Sequence, residues 1–221
     1  MVKSDPLRMR STHDGIAEQS GPITFASPAS ADASPGSIDA DCIALATALG
    51  QIMRELRGVV AGLTPGQYTA RAGDAFAGAS IGGHVRHCLD HARALADGCR
   101  DGLVDYDHRA RGTIVESDPV AADAELGHLL GSIERMARME ALMGLRVVVM
   151  PSRDGASVVL GSTLARELAF ILSHTIHHNA TIRGIAISLG CDVPASFGCA
   201  PSTLAHRDGV GDRLGSERCA R

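Results

Sequence analysis

Tryptophan is absent from this 221-residue sequence, and aromatic residues make up only 3% of it. A core must then come from Leu, Ile, Val, Ala and Met, which suits packed helices better than an aromatic-rich sandwich. The same scarcity disfavours a large stacking pocket for a nucleobase. None of the six cysteines (Cys42, Cys88, Cys99, Cys191, Cys199 and Cys219) forms a Cys-x-x-Cys pair, so zinc-ribbon and thioredoxin-like motifs fail on spacing. There is no dense run of Lys or Arg, and the net charge is -4. That argues against nucleic acid and against a polybasic membrane patch as partners. No apolar leader opens the sequence, since Lys3, Asp5, Arg8 and Arg10 interrupt it, and the cytoplasm is the expected location. The most apolar run, Leu164 to Leu189, contains Arg166, Glu167 and three histidines, which speaks against a membrane span. No internal repeat is present.

Hydrophobic residues amount to 45% of the chain, enough for one domain with a core. Residues 1–38 are rich in Ser, Ala, Pro, Gly and Asp without an apolar period, and are expected to form a disordered extension. A first helix is predicted from Asp39 or Asp41, with Leu45, Leu49, Ile52, Leu56, Val59 and Leu63 on one stripe, ended by Thr64-Pro65-Gly66. Ser80 caps a second helix to about Arg100, with Ile81, Val85, Cys88, Leu89, Ala92 and Leu95 inward. Arg86, Asp90, Arg93 and Asp97 form its predicted wet face. The long polar connection from Asp101 to about Glu116 is expected to cross the bundle. Asp118-Pro119 starts a third helix, with Leu126, Leu129, Leu130, Ile133, Met136 and Met143 as its inner face. Valine-rich runs on either side of Pro151-Ser-Arg-Asp-Gly155 read as a short β-hairpin. A fourth helix runs from Ser162 or Thr163 to about Leu189, stopped by Gly190. The prediction is an all-α four-helix bundle over residues 39–192, with a crossover after the second helix and a hairpin before the fourth. Residues 193–221 are expected to be a partly ordered tail.

The chemistry concentrates in histidine. His174 and His178 stand one turn apart on the fourth helix, and His178 falls on the stripe of Leu164, Leu168, Ile171, Thr175, Ile182, Ile185 and Leu189. An imidazole in a core needs partners for its nitrogens, and a metal satisfies two imidazoles at once; histidines at i and i+4 are the pair used by helical zinc sites. The bland alternative is a pair of core histidines hydrogen-bonded to neighbours. His177 points to another side and is a weaker ligand candidate. His84, His87 and His91 lie on the second helix, and any one of them would complete a three-histidine set. Periodicity slightly favours His84 or His91, because His87 lies at the edge of the stripe. Glu167 stands two turns before His174, placed to orient an imidazole, relay a proton, or be solvated at the bundle's end. His13, His108, His128 and His206 read as loop, tail or surface residues.

The segments Val85-Arg86-His87-Cys88-Leu89-Asp90-His91 and Ser173-His174-Thr175-Ile176-His177-His178-Asn179-Ala180-Thr181-Ile182 resemble the DinB-like superfamily of small four-helix metalloproteins. The resemblance spans about residues 40 to 190. It implies a bundle with a crossover after the second helix and a divalent metal, Zn, Ni or Fe, held by His87, His174 and His178. Many relatives have a further histidine where Thr181 stands here, which leaves the 174/178 pair. The family includes metal-dependent thiol transferases, hydrolase candidates and iron-using sulfoxide-synthase domains, and homodimers are common in it.

Three functional readings compete. In the first, the chain is a metal-dependent hydrolase or thiol transferase for a small molecule, with His91 or Glu167 accepting a proton. In the second, it is a non-catalytic metal-stabilised or stress-related bundle. In the third, the histidines form a polar core network with no metal.

Overall fold

The computed structural model describes residues 40–107 and 112–209. The expected 1–38 extension, His13, His108 and the end of the tail lie outside them. The elements are α1 (Ala40–Ala61), α2 (Pro65–Thr69), a 3-10 turn (Asp74–Phe76), α3 (Ile81–Asp101), β1 (Leu103–Asp105), α4 (Ile114–Ser117), α5 (Pro119–Met136), β2 (Gly144–Val149), β3 (Val158–Thr163) and α6 (Leu164–Ser188). A further helical stretch covers 201–209.

The helix starts follow the capping chemistry. The Ser80, Asp118 and Thr163 side chains accept from the backbone N–H groups of Gly83, Val120 and Arg166 at the heads of α3, α5 and α6. Thr64 does more than end α1: with Gln67 it makes a capping box that opens α2.

α1, α3, α5 and α6 form the bundle. α1 and α3 each pack against both α5 and α6, so the ring order is α1-α5-α3-α6. The connection after α3, expected to cross the bundle, joins helices that are neighbours. The diagonal steps are α1 to α3 and α5 to α6. The fold is mostly helical with a small sheet. β2 and β3 pair antiparallel as a hairpin, from Gly144 opposite Thr163 to Val149 opposite Val158. β1, read from sequence as polar connection, adds a third strand parallel to β2, with Leu103 opposite Arg146. Its three residues are too short for a period to show.

The core runs through Leu49, Met53, Leu56, Leu89, Leu95, Leu126, Ile133, Leu164 and Leu168, all buried. The face of α3 predicted to be wet is partly covered by α4 and α5, which enclose Arg86 and Asp90, while Asp97 stays half exposed as expected. Asp90 is buried there between Arg86 (2.7 Å) and Arg93 (3.2 Å), and these arginines reach on to Glu116 and Glu125. No helix among the described residues is long and apolar enough to cross a membrane.

α4 sits on α3 at Gly82, where a Cβ would stand 2.1 Å from the Glu116 carbonyl oxygen and 2.8 Å from the Tyr68 ring. The Tyr68 hydroxyl donates to the Val115 carbonyl oxygen nearby, at 2.7 Å. Gly82→Ala is therefore expected to lower stability by about 1–3 kcal/mol, the cost of overpacking against backbone. The shift in urea midpoint at unchanged slope measures it.

Candidate metal centre

His84, His87 and His91 of α3 meet His174 and His178 of α6 where these two helices pack together. Two ring-nitrogen contacts cross the interface: His87 Nε2 to His174 Nε2, and His84 Nδ1 to His178 Nδ1, each 2.9 Å. His91 is buried and stands 3.0 Å, through Nδ1, from the His87 carbonyl oxygen. A carbonyl only accepts, so Nδ1 donates, and in the neutral ring Nε2 is the basic nitrogen.

Two possible triads share His87 and His174. The rings of His87, His174 and His178 lie 4.5–4.9 Å apart between centroids and are tilted 63–74° from one another. Tilted planes allow imidazoles to share an ion, since each nitrogen lone pair lies in its ring plane, but His178 is not in the close grouping of ring nitrogens. The alternative takes His91, since nitrogens of His87, His91 and His174 all lie within 4.8 Å of one another. But His91 stacks face to face on His174, 4.2 Å away at 24°. Nearly parallel rings at that separation direct their lone pairs past each other. Both sets consist of imidazoles alone, a donor type that suits Zn, Ni or Fe, so the site fits a divalent metal on its chemistry.

The environment favours the neutral form of two of these rings, His178 and His84. Burial, then the neighbouring His174 and His84 imidazoles, pushes His178 down to about 3. Burial, then His177, lowers His84. Metal ligation requires neutral imidazole.

Several predicted placements change. Between the buried Thr175 and Ile182 of α6, the residue that fills the core is Asn179, and His178 is half-buried. Asn179 Nδ2 lies 3.5 Å from the Ile52 carbonyl oxygen of α1. The stripe turns toward α1, while the histidines flank it on the side of α3. Glu167 is not solvated: it is fully buried and accepts from the Tyr106 hydroxyl (2.8 Å), the Ser162 hydroxyl and Arg166 Nη1 (2.8 Å). His177, His128 and His206 are exposed, as expected.

Tyr106 and Phe170 were not among the predicted site residues. Tyr106 lies parallel to His91, 5.1 Å away at 11°, and Phe170 packs on His174 at 5.6 Å and 26°. Burial, and then the bond to Glu167, raises the Tyr106 phenol, so it stays protonated and donates. One signal was readable: Phe170 stands one turn before His174 on the same helix. Together these rings border a cleft of about 220 Å³, closed on its other side by Val148 and Val149 of β2. A larger cavity, about 380 Å³, lies between α1 and residues 192–197 and contains no histidine.

No family model matches the chain. It is 34% identical over 105 residues to FK506-binding protein 5 of Rhizopus delemar, a match covering 47% of this chain and 27% of that protein. The chain thus spans about a quarter of that relative's length. Among solved structures it is similar to YfiT from Bacillus subtilis, described as a probable metal-dependent hydrolase with an unusual four-helix bundle topology. The TM-score is 0.52 at 18% identity, covering 77% of this chain and 97% of YfiT. That likeness places the chain in the same fold.

The lowered His178 sets a pH dependence for the metal-free protein. Its folded value of about 3 lies below the ordinary 6.5. Between the two, the unfolded chain binds a proton that the folded chain does not, so stability falls as pH drops from about 6.5 toward 3. Thermal melts of metal-free protein across this range should show that decline, with a shallower slope in His178→Gln.

Proposed function

We propose that this chain is a DinB-like metalloprotein that uses one divalent ion, Zn, Ni or Fe, as a metal-dependent hydrolase or thiol transferase acting on a small molecule. The observation that carries the reading is the set of imidazoles on α3 and α6, joined by two nitrogen contacts of 2.9 Å across the interface. His87, His174 and His178 would hold the ion, the set that the family resemblance implies and that the one-turn spacing of His174 and His178 supports. His84 Nδ1 meets His178 Nδ1 at 2.9 Å, which would leave Nε2 as the His178 nitrogen for an ion, as partners of metal ligands do. A divalent ion supplies Lewis acidity there, which makes a nucleophile available near neutral pH.

The remaining roles belong to the chain. His91 lines the cleft and has Nδ1 committed to the His87 carbonyl, so its Nε2 accepts the proton released as the nucleophile forms. Glu167 supports this wall from behind through Tyr106. Val148, Val149 and Phe170 give the cleft an apolar side and Asp107 a carboxylate at its edge, and its volume of about 220 Å³ favours a small substrate. A cytoplasmic location, a homodimer, and the absence of nucleic-acid and membrane partners belong to the same proposal. The YfiT description agrees with the hydrolase arm of the reading.

A second reading makes His91 the third ligand, favoured by the 4.8 Å grouping of its nitrogen with those of His87 and His174.

Metal analysis of the purified chain separates these possibilities. His87→Ala, His174→Ala and His178→Ala are expected to lose stoichiometric metal. His91→Ala should keep it, while hydrolysis of a model ester, or thiol transfer to a small electrophile, falls about 10²–10⁴-fold. Loss of metal in His91→Ala with retention in His178→Ala establishes the second ligand set. A metal-loaded chain that melts higher than the stripped one but turns over neither substrate class is the non-catalytic bundle.

A further inference from the structure

We infer that Glu167 is a positioning residue for His174, acting through a column of stacked rings, Tyr106–His91–His174; the inference rests on the proposed metal site. Glu167 is fully buried at the head of α6 and gathers donors from three elements. Tyr106 comes from the segment after β1, Ser162 from β3, and Arg166 from α6 itself. A buried carboxylate held by three donors is a fixed point, since releasing any donor leaves charge poorly satisfied away from water.

The Tyr106 hydroxyl ends on that fixed point, which sets the rotation of its ring. The ring lies parallel to His91, 5.1 Å away at 11°. His91 in turn lies over His174, 4.2 Å away at 24°. Two further contacts keep the column from sliding. His91 Nδ1 is held by the His87 carbonyl oxygen at 3.0 Å. Phe170 packs against His174 and Tyr106, at 5.6 and 5.2 Å between centroids.

A ring in such a column cannot tilt without losing contact area on both faces. The orientation of Tyr106 is therefore passed to His174. A ligand's affinity depends on its ring plane, and changes in the groups that orient metal ligands cost about 10–100-fold in affinity. Glu167 thus supports His174 from the far end of the column, through Tyr106 and His91. The requirement for the Tyr106 hydroxyl follows directly, because without it the phenyl ring has no link to Glu167.

Cobalt(II) titration of the full chain tests this, with d–d absorption as the readout and the melting temperature of the metal-free protein as control. Tyr106→Phe keeps the ring and removes the hydroxyl; Glu167→Gln keeps the shape and removes the charge. Both are expected to weaken cobalt binding about tenfold and to alter the d–d bands, with the metal-free melting temperature lowered by only a few degrees. Ser162→Ala removes one donor but leaves Tyr106 on Glu167, and should bind cobalt more tightly than Tyr106→Phe does. Wild-type affinity and spectrum in Tyr106→Phe overturn the inference, as does an affinity loss accompanied by a fall of ~10 °C or more in melting temperature. If Glu167→Gln fails to fold, Tyr106→Phe decides alone. Wild-type protein that takes up no cobalt overturns the metal reading and this inference with it, a result distinct from the other two.

Discussion

An imidazole withdrawn from water needs something to meet its ring nitrogens, and here five of them share the interface of two helices. The rest of the structure answers to that demand. α3 and α6 must pack side by side, in register, so that His87 meets His174 and His84 meets His178. The bundle's other two helices then need carry no chemistry. α1 and α5 are clamped to one another instead by apolar packing and by Arg57, whose guanidinium makes two bonds to Asp123 at 2.6 and 2.9 Å.

The sheet and the buried carboxylate complete the site from outside the bundle. β2 supplies the apolar wall, β3 supplies Ser162, and the segment after β1 supplies Tyr106. Glu167 ties the last two to α6. A side chain that sequence position alone would leave at a solvated helix end thereby becomes the joint between sheet and bundle. The polar network on the other side of α3 has a similar form: Asp90 is buried between two arginines that each hold a further glutamate. Among the described residues, the buried carboxylates Asp90 and Glu167 are each received by several partners.

The four bundle helices, their caps and the hairpin were legible because each carries local chemistry: Ser80, Asp118 and Thr163 at helix heads, Gly190 with a positive φ of 71° at the end of α6, and valine runs about a turn. The histidine cluster was legible for the same reason, since spacings of three, four and seven put residues on one face. What the sequence concealed depends on tertiary neighbours. Arg86 and Asp90 look like a wet face until α4 and α5 cover it. His178 looks central until the stripe of α6 turns to set Asn179 against α1. Tyr106 sits in a polar connection with no period, and only the fold brings it against His91 and Glu167. Which histidines converge depends on ring planes, and no spacing rule encodes those.

The parallel pairing of β1 with β2 has a kinetic consequence. β1 follows α3 directly, but its partner strand lies beyond the whole of α5. Parallel strands need a long crossover, and the entropy of closing that loop must be met before the pairing returns any contacts. The histidine interface closes a longer loop still, since His87 and His174 stand 87 residues apart in sequence. By loop length, the wall made by Val148, Val149 and Tyr106 costs less to close than the meeting of α3 with α6. On this count the histidines are gathered last, against a strand pair that a shorter loop already allows.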